Sequence, residues 1–302
     1  MRLRSYAGDG ELGSNGISAA GASGPVYKSV VDSCIGERAR RKRCDGQGEQ
    51  DDRVCSIEAS RTMSEGAPIV KPTIAQIFSE FLAEQERRLS GRSLSQYGQV
   101  MGLLKTSLNS YGYQGLCVAD AERFDRLYNA QGEEHREFCE IFGAEHILLN
   151  LREFLGYFMV RKVIAGTELM RAAGTVTKTL SKWLAEKGYV GAADGREGAE
   201  QAAAAARNLP QAQALARSLM EFAERQAPDD YGEEQAEEDQ FRIAVVENRR
   251  MWLERMDGHR LGPFALPATL ARRCKVGWSI SGVVGPVRGK WRLLEVWNVY
   301  PE

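Results

Sequence analysis

Apolar positions recur with helical spacing from residue 73 to residue 190, and the pattern changes to strand-like runs after residue 240. The longest helical signal lies between Glu145 and Val190. Leu148, Leu151, Phe154, Leu155, Phe158 and Met159 form one apolar face, and Leu169, Ala173, Val176, Leu180, Trp183 and Leu184 form another. This predicts two long helices joined at Ile164-Ala165-Gly166, with Gly188 as the left-handed residue that ends the second. Upstream, Ile74, Ile77, Phe78, Phe81 and Leu82 mark a helix that Thr73 and Gln76 open as a capping box. After a turn at Leu89–Arg92, Ser93 and Gln96 predict a second box, with Tyr97, Met101, Leu104, Leu108 and Tyr111 on the helix face. These two helices make an antiparallel hairpin. Residues 112–144 are less regular, with a short helix over Asp120–Ala130 and a loop from Gln131.

Residues 191–199 are rich in Gly and Ala and predict a break. Glu200–Asn208 contains five consecutive alanines and favours helix. Pro210 suits the first position of a further helix, with Leu215, Leu219 and Phe222 inward. Asp229–Asp239 reads as an acidic linker. Beyond it, 241–246, 251–256, 276–284 and 291–299 are rich in aromatic and β-branched residues and predict strands. Asp257-Gly258 marks a turn, Gly285–Gly289 a hairpin connection, and Ala268–Arg273 one helical turn. The expected fold is mainly α with a small β domain: a four-to-five-helix bundle, a helical linker, and a C-terminal small β-barrel or curled sheet.

Composition divides the chain the same way. Net charge is −1 overall, but residues 191–240 carry 4 basic and 12 acidic side chains, and residues 241–302 carry 11 and 5. Within the long helical pair, Arg161, Lys162, Arg171, Lys178, Lys182 and Lys187 face only Glu168 and Glu186 after residue 154. Residues 1–62 show no periodicity and read as a disordered tail carrying the basic run Arg38–Arg43. Met63 followed by Ser-Glu-Gly-Ala-Pro reads as an alternative start. The expected division is therefore a tail over 1–62, a helical domain over 63–190, a linker over 191–240 and a basic β domain over 241–302. No apolar run is long enough to span a membrane, and the six scattered cysteines suit a reducing cytoplasm.

Four elements in order, TIAQIFSEFLAEQERR, LSGRSLSQYGQVMGLLKTSL, REFLGYFMVRK and SKWLAEKGYV, resemble the core-binding domain of tyrosine recombinases and phage integrases. That resemblance covers about 120 residues and implies a SAM-like helical fold that clamps duplex DNA. It assigns phosphate and groove contacts to Arg92 and Lys105 around the second helix, to Arg171, Lys178 and Lys182 on the fourth, and to Arg161 and Lys162 at the end of the third. Cations on one side of a helical pair also favour phosphate binding on electrostatic grounds alone. Thr175, Thr177 and Ser181 sit among them as candidate donors to phosphate oxygens. In the β domain, Lys290 and Arg292 flank Trp291, a cation–aromatic arrangement that suits single-stranded nucleic acid or a peptide. Trp278 and Trp297 are expected in the core.

Catalysis is not expected. None of the three histidines, His135, His146 and His259, is followed at the third residue by arginine, as the recombinase pattern requires. The last 60 or so residues are too few for that catalytic domain, and Tyr300 lacks a companion base. His135, Cys139 and His146 do not make a metal set, since spacings of four and seven leave no fourth ligand. No phosphate-binding glycine loop or His-Glu-x-x-His motif is present. No cofactor and no small-molecule substrate is expected. The expected partner is DNA, bound by a non-catalytic protein. The alternative is a protein-interaction adaptor with a helical bundle and an SH3-like β module.

Overall fold

A computed structural model of the chain describes residues 71–227 and 236–301. The proposed tail, the start at Met63 and most of the acidic stretch after Asp229 lie outside the described residues. The first helix, α1 (Ile74–Glu86), opens with the predicted capping box: Thr73 Oγ1 accepts from the Gln76 amide, and the Gln76 side chain accepts from the Thr73 amide. The next, α2 (Gly91–Tyr111), differs from expectation. It starts two residues before Ser93, its N-cap is Ser90, and no side chain caps it. Val118–Tyr128 (α3) and Phe138–Ile141 (α4) follow, each preceded by a short 3₁₀ turn.

The stretch predicted as one long helix from Glu145 is segmented. It comprises Glu145–Leu149 (α5), Leu151–Glu153 (α6), a π-helical turn over Phe154–Phe158 and Met159–Arg161 (α7). The π turn lets Phe154, Leu155 and Phe158 all reach the core. Next comes α8 (Thr167–Glu186), which ends as the sequence predicts. Gly188 has φ 73°, its amide donates to Ala185 O, and the Tyr189 amide donates to Leu184 O, a Schellman closure.

Residues 191–199 do not break the chain. Ala192–Gln226 is a single helix, α9, with Pro210 inside it. The glycines that suggested a break are contact points. A Cβ on Gly195 would lie 2.5 Å from Ala185 Cβ, and one on Gly198 would lie 3.0 Å from Ser181 Oγ. Gly174 of α8 faces Ala202 and Ala206 in the same way. Small residues at one-turn spacing on both helices let α8 and α9 run antiparallel with their backbones in near contact. Thus α9 is a shared spine and not a linker. Its Ala202 and Leu209 belong to the helical core, while Ala212, Leu215, Leu219 and Ala223 belong to the core under the sheet. Pro210 lies where one core hands over to the other. It forgoes one helical hydrogen bond, yet burial on both sides of it keeps the helix continuous.

The β part is a five-stranded antiparallel sheet of β1 (Glu237–Glu247), β2 (Arg250–Glu254), β3 (Arg260–Ala265), β4 (Ser279–Val287) and β5 (Lys290–Tyr300), ordered β3-β2-β1-β4-β5. Thus β1 begins inside the stretch read as linker, and β3 is a strand that the apolar runs did not mark. A helical turn, α10 (Ala268–Ala271), joins β3 to β4 as expected. The first half of β1 pairs with β4 and the second half with β2, with a bulge between Ile243 and Val245. The sheet is not closed, because β3 and β5 do not pair, although the rings of Phe264 and Trp291 lie 5.9 Å apart across the two edges. The last hairpin turns at Arg288-Gly289, leaving Gly285 and Pro286 inside β4. Trp278 is buried as predicted, but Trp297 is 40% exposed and does not belong to the core.

Candidate nucleic-acid interface

The exposed face of α8 is the longest continuous placement of the predicted site residues. Arg171, Thr175, Lys178 and Lys182 follow one another by one helical turn, and all four are exposed. The opposite side of the helix carries Ala173, Val176, Leu180 and Leu184 into the core. The face is flanked on one side by α2, through Tyr97 Oη donating to Thr179 Oγ1 at 3.3 Å, and on the other by α9. Two of the predicted hydroxyl donors are elsewhere. Thr177 and Ser181 are fully buried, and their hydroxyls donate to Ala173 O and Thr177 O of their own helix. Only Thr175 lies on the basic face, with its hydroxyl bonded back to Arg171 O.

The other predicted cations are dispersed. Arg92 is exposed but makes an ion pair with Glu168 at the start of α8. Lys105 is also exposed on α2. At about 100° per residue it stands roughly 140° around that helix from Arg92, on the far flank of the buried face. Arg161 sits over the Tyr157 ring at 5.7 Å, and Tyr157 stacks on Tyr300 of β5. Lys162 is exposed beside it. The loop that follows is held by Gln213 of α9, whose side-chain amide donates to Ala165 O. Arg292 is half-buried and donates to Gln226 at the end of α9, whereas Lys290 is exposed at the hairpin. Helical periodicity groups Arg171, Lys178 and Lys182. The remaining positions carry separate structural bonds or stand on other surfaces.

Lys187 is engaged as well, through a network that the sequence did not reveal. It pairs with Glu80 and Glu84 of α1, Trp183 Nε1 donates to Glu84 at 2.7 Å, and Tyr189 Oη donates to Glu80. The hydrogen bond from Lys187 holds the Glu84 carboxyl below its ordinary range and raises Lys187 in turn. This network fixes the end of α8 against α1, so Lys187 is not part of the free basic face.

Among the described residues, His135, His146, Cys139 and Cys274 have structural places. His135 Nδ1 lies 2.7 Å from Tyr128 O, and buried His146 lies against Phe142 with Nε2 3.7 Å from Asp120. Burial pushes the Cys139 thiol up to about 12 and the Cys274 thiol up to about 11. Among the described residues no group of three His, Cys, Asp or Glu side chains is placed to hold a metal ion, and no helix is long and apolar enough to cross a membrane. Compared with known proteins, the chain matches no family model, no curated protein and no solved structure.

Proposed function

We propose that this chain is a non-catalytic DNA-binding protein that holds duplex DNA through its phosphates. In this reading its helical part is a SAM-like relative of the integrase core-binding domain, and its open five-stranded sheet is a second, smaller module. One observation carries the proposal: Arg171, Lys178 and Lys182 point outward from one rigid helix, with Thr175 between them. From Arg171 to Lys182 the face spans about 16 Å at 1.5 Å per residue, long enough to meet several phosphates along a groove edge. The helix is backed on both flanks, by α2 and by the close seam with α9, so its cations are presented without ordering a loop. Arg161 and Lys162, at the loop leading into α8, act as peripheral contacts, Lys105 on the far flank of α2 stays off this face, and Arg92 contributes less because Glu168 already neutralises it.

The test is a titration of the full chain with duplex DNA at low and moderate salt. Phosphate contacts release counterions, so affinity falls steeply between the two salt concentrations. Absence of binding to any duplex at low salt would end the reading and leave the adaptor.

A further inference from the structure

The β part holds a second set of cations that the α8 face does not use. Both two-residue hairpins of the sheet are basic at their tips. The first turns at Asn248-Arg249 and continues into Arg250, and the second turns at Arg288-Gly289 and continues into Lys290. All four cations are exposed, and none makes an ion pair with another described residue. The turns require positive φ at both central positions to match the twist of the strands. Asn248, Arg249 and Arg288 adopt it at 48°, 59° and 50°. Arginine is a poor residue for that conformation, where Gly, Asn or Asp fit without strain. Its presence in both turns is a cost to folding that a ligand contact would explain.

The register sets the two tips at opposite ends of the β1–β4 ladder, and the curl of the sheet, which lays β3 against β5, draws the residues beside the two tips together. Arg249 O accepts from the Leu266 amide, and Arg250 and Met251 pair with Ala265 and Phe264 of β3. Trp291, next to Lys290 in β5, then closes on Phe264 with ring centroids 5.9 Å apart. The half-buried Trp291 therefore stands between the two basic turns. Glu247, opposite Arg250, is the acidic residue beside the first turn.

We propose that the two basic tips, together with Trp291 between them, form a binding site for single-stranded polynucleotide. Arg249, Arg250, Arg288 and Lys290 contact successive phosphates, and Trp291 offers its exposed edge or face to a base. A flexible strand suits two cationic tips on either side of a ring, because its backbone can follow both while a base turns inward. The site is separate from the α8 face and does not depend on the duplex reading.

The experiment is fluorescence anisotropy of the full chain with 12-nucleotide oligo-dT and oligo-U across a salt series, with a poly-glutamate peptide as competitor. The probe variant is Arg249→Asn with Arg288→Asn, since asparagine accepts the same backbone conformation. Loss of two phosphate contacts makes the log–log salt slope shallower by about 1.4. Trp291→Leu weakens binding roughly tenfold by removing the stacking ring. Binding of either oligonucleotide with these changes supports the site, and the preferred sugar identifies the natural strand. Lys178→Glu with Lys182→Glu leaves this binding intact while reducing duplex binding, which separates the two sites. No binding, a slope unchanged in the Asn variant, equal competition by poly-glutamate, or loss of oligonucleotide binding in the Lys178/Lys182 variant would each overturn the proposal. The hairpin variant decides the matter even if Trp291→Leu fails to fold.

Discussion

Replacing Gly174 by alanine tests the α8–α9 seam on which the basic face rests. A methyl group there would lie 2.3 Å from Ala206 N, 2.6 Å from Ala206 Cα and 2.6 Å from Ala202 O. These are backbone atoms of α9, so no side chain can rotate away. Restoring ordinary contact at 3.5 Å or more requires the helices to part by roughly 1 Å. Overfilling costs about 1–3 kcal/mol, and a clash with backbone that cannot rotate away belongs in the upper part of that range, about 2–3 kcal/mol. Alanine's better helix propensity returns up to about 1 kcal/mol, which leaves Gly174→Ala destabilising by about 1–2 kcal/mol. At about 2–4 °C per kcal/mol for a protein of this size, Tm falls by roughly 2–8 °C. Gly102→Ala in α2 is the control, because nothing lies within 4 Å of its added Cβ. The same substitution there stabilises by about 0.4–1 kcal/mol. Paired urea and thermal melts followed by far-UV circular dichroism measure both. If Gly174→Ala is as stable as the parent, or moves in the same direction as Gly102→Ala, the close seam is refuted.

Three further outcomes are expected. Glu84 has a depressed folded-state pKa, so the stability it contributes is present above its ordinary value of 4.5 and is lost as pH falls through the lower folded value. Glu84→Gln should therefore remove part of the acid sensitivity seen in Trp183 fluorescence below that pH, and an unchanged acid profile would contradict the network. Cys139 and Cys274, with thiols pushed up to about 12 and about 11, should resist alkylation at pH 8 in the folded protein and react only after denaturation, as read by peptide mass spectrometry. Ser181→Val removes a hydroxyl that is buried and bonded to Thr177 O. It should lower stability by about 1 kcal/mol in chemical denaturation and leave duplex affinity unchanged, since that hydroxyl does not reach the basic face.

Local chemistry was legible where it is decided locally. The capping box at Thr73, the left-handed Gly188, the helical turn after Pro267 and the strand content beyond residue 240 follow from a few adjacent residues. Features set by a distant partner were not legible. Gly195 and Gly198 look like helix breakers until α8 is laid against them, and Pro210 looks like a helix start until two cores are found gripping the same helix. The basic stripe of α8 could be read from its period, but not that Thr177 and Ser181 face inward or that Arg92 meets Glu168 across 76 positions of chain. Trp297 was misplaced because a strand's face is fixed by its register, and β5 carries two register shifts against β4. The turn at Asn248-Arg249 escaped notice, and the one at Arg288-Gly289 was predicted only as the broader connection Gly285–Gly289, because arginine is not a residue from which a positive φ is inferred.

The most direct test of the duplex-binding proposal is the salt dependence of duplex affinity for Lys178→Glu with Lys182→Glu against the parent chain. If both lysines neutralise phosphates, the slope of log affinity against log salt becomes shallower by about 1.8, at about 0.9 per phosphate. Affinity at low salt should fall with it, while the melting temperature stays the same. An unchanged slope in a folded variant that still binds DNA would show that the α8 face does not contact the duplex.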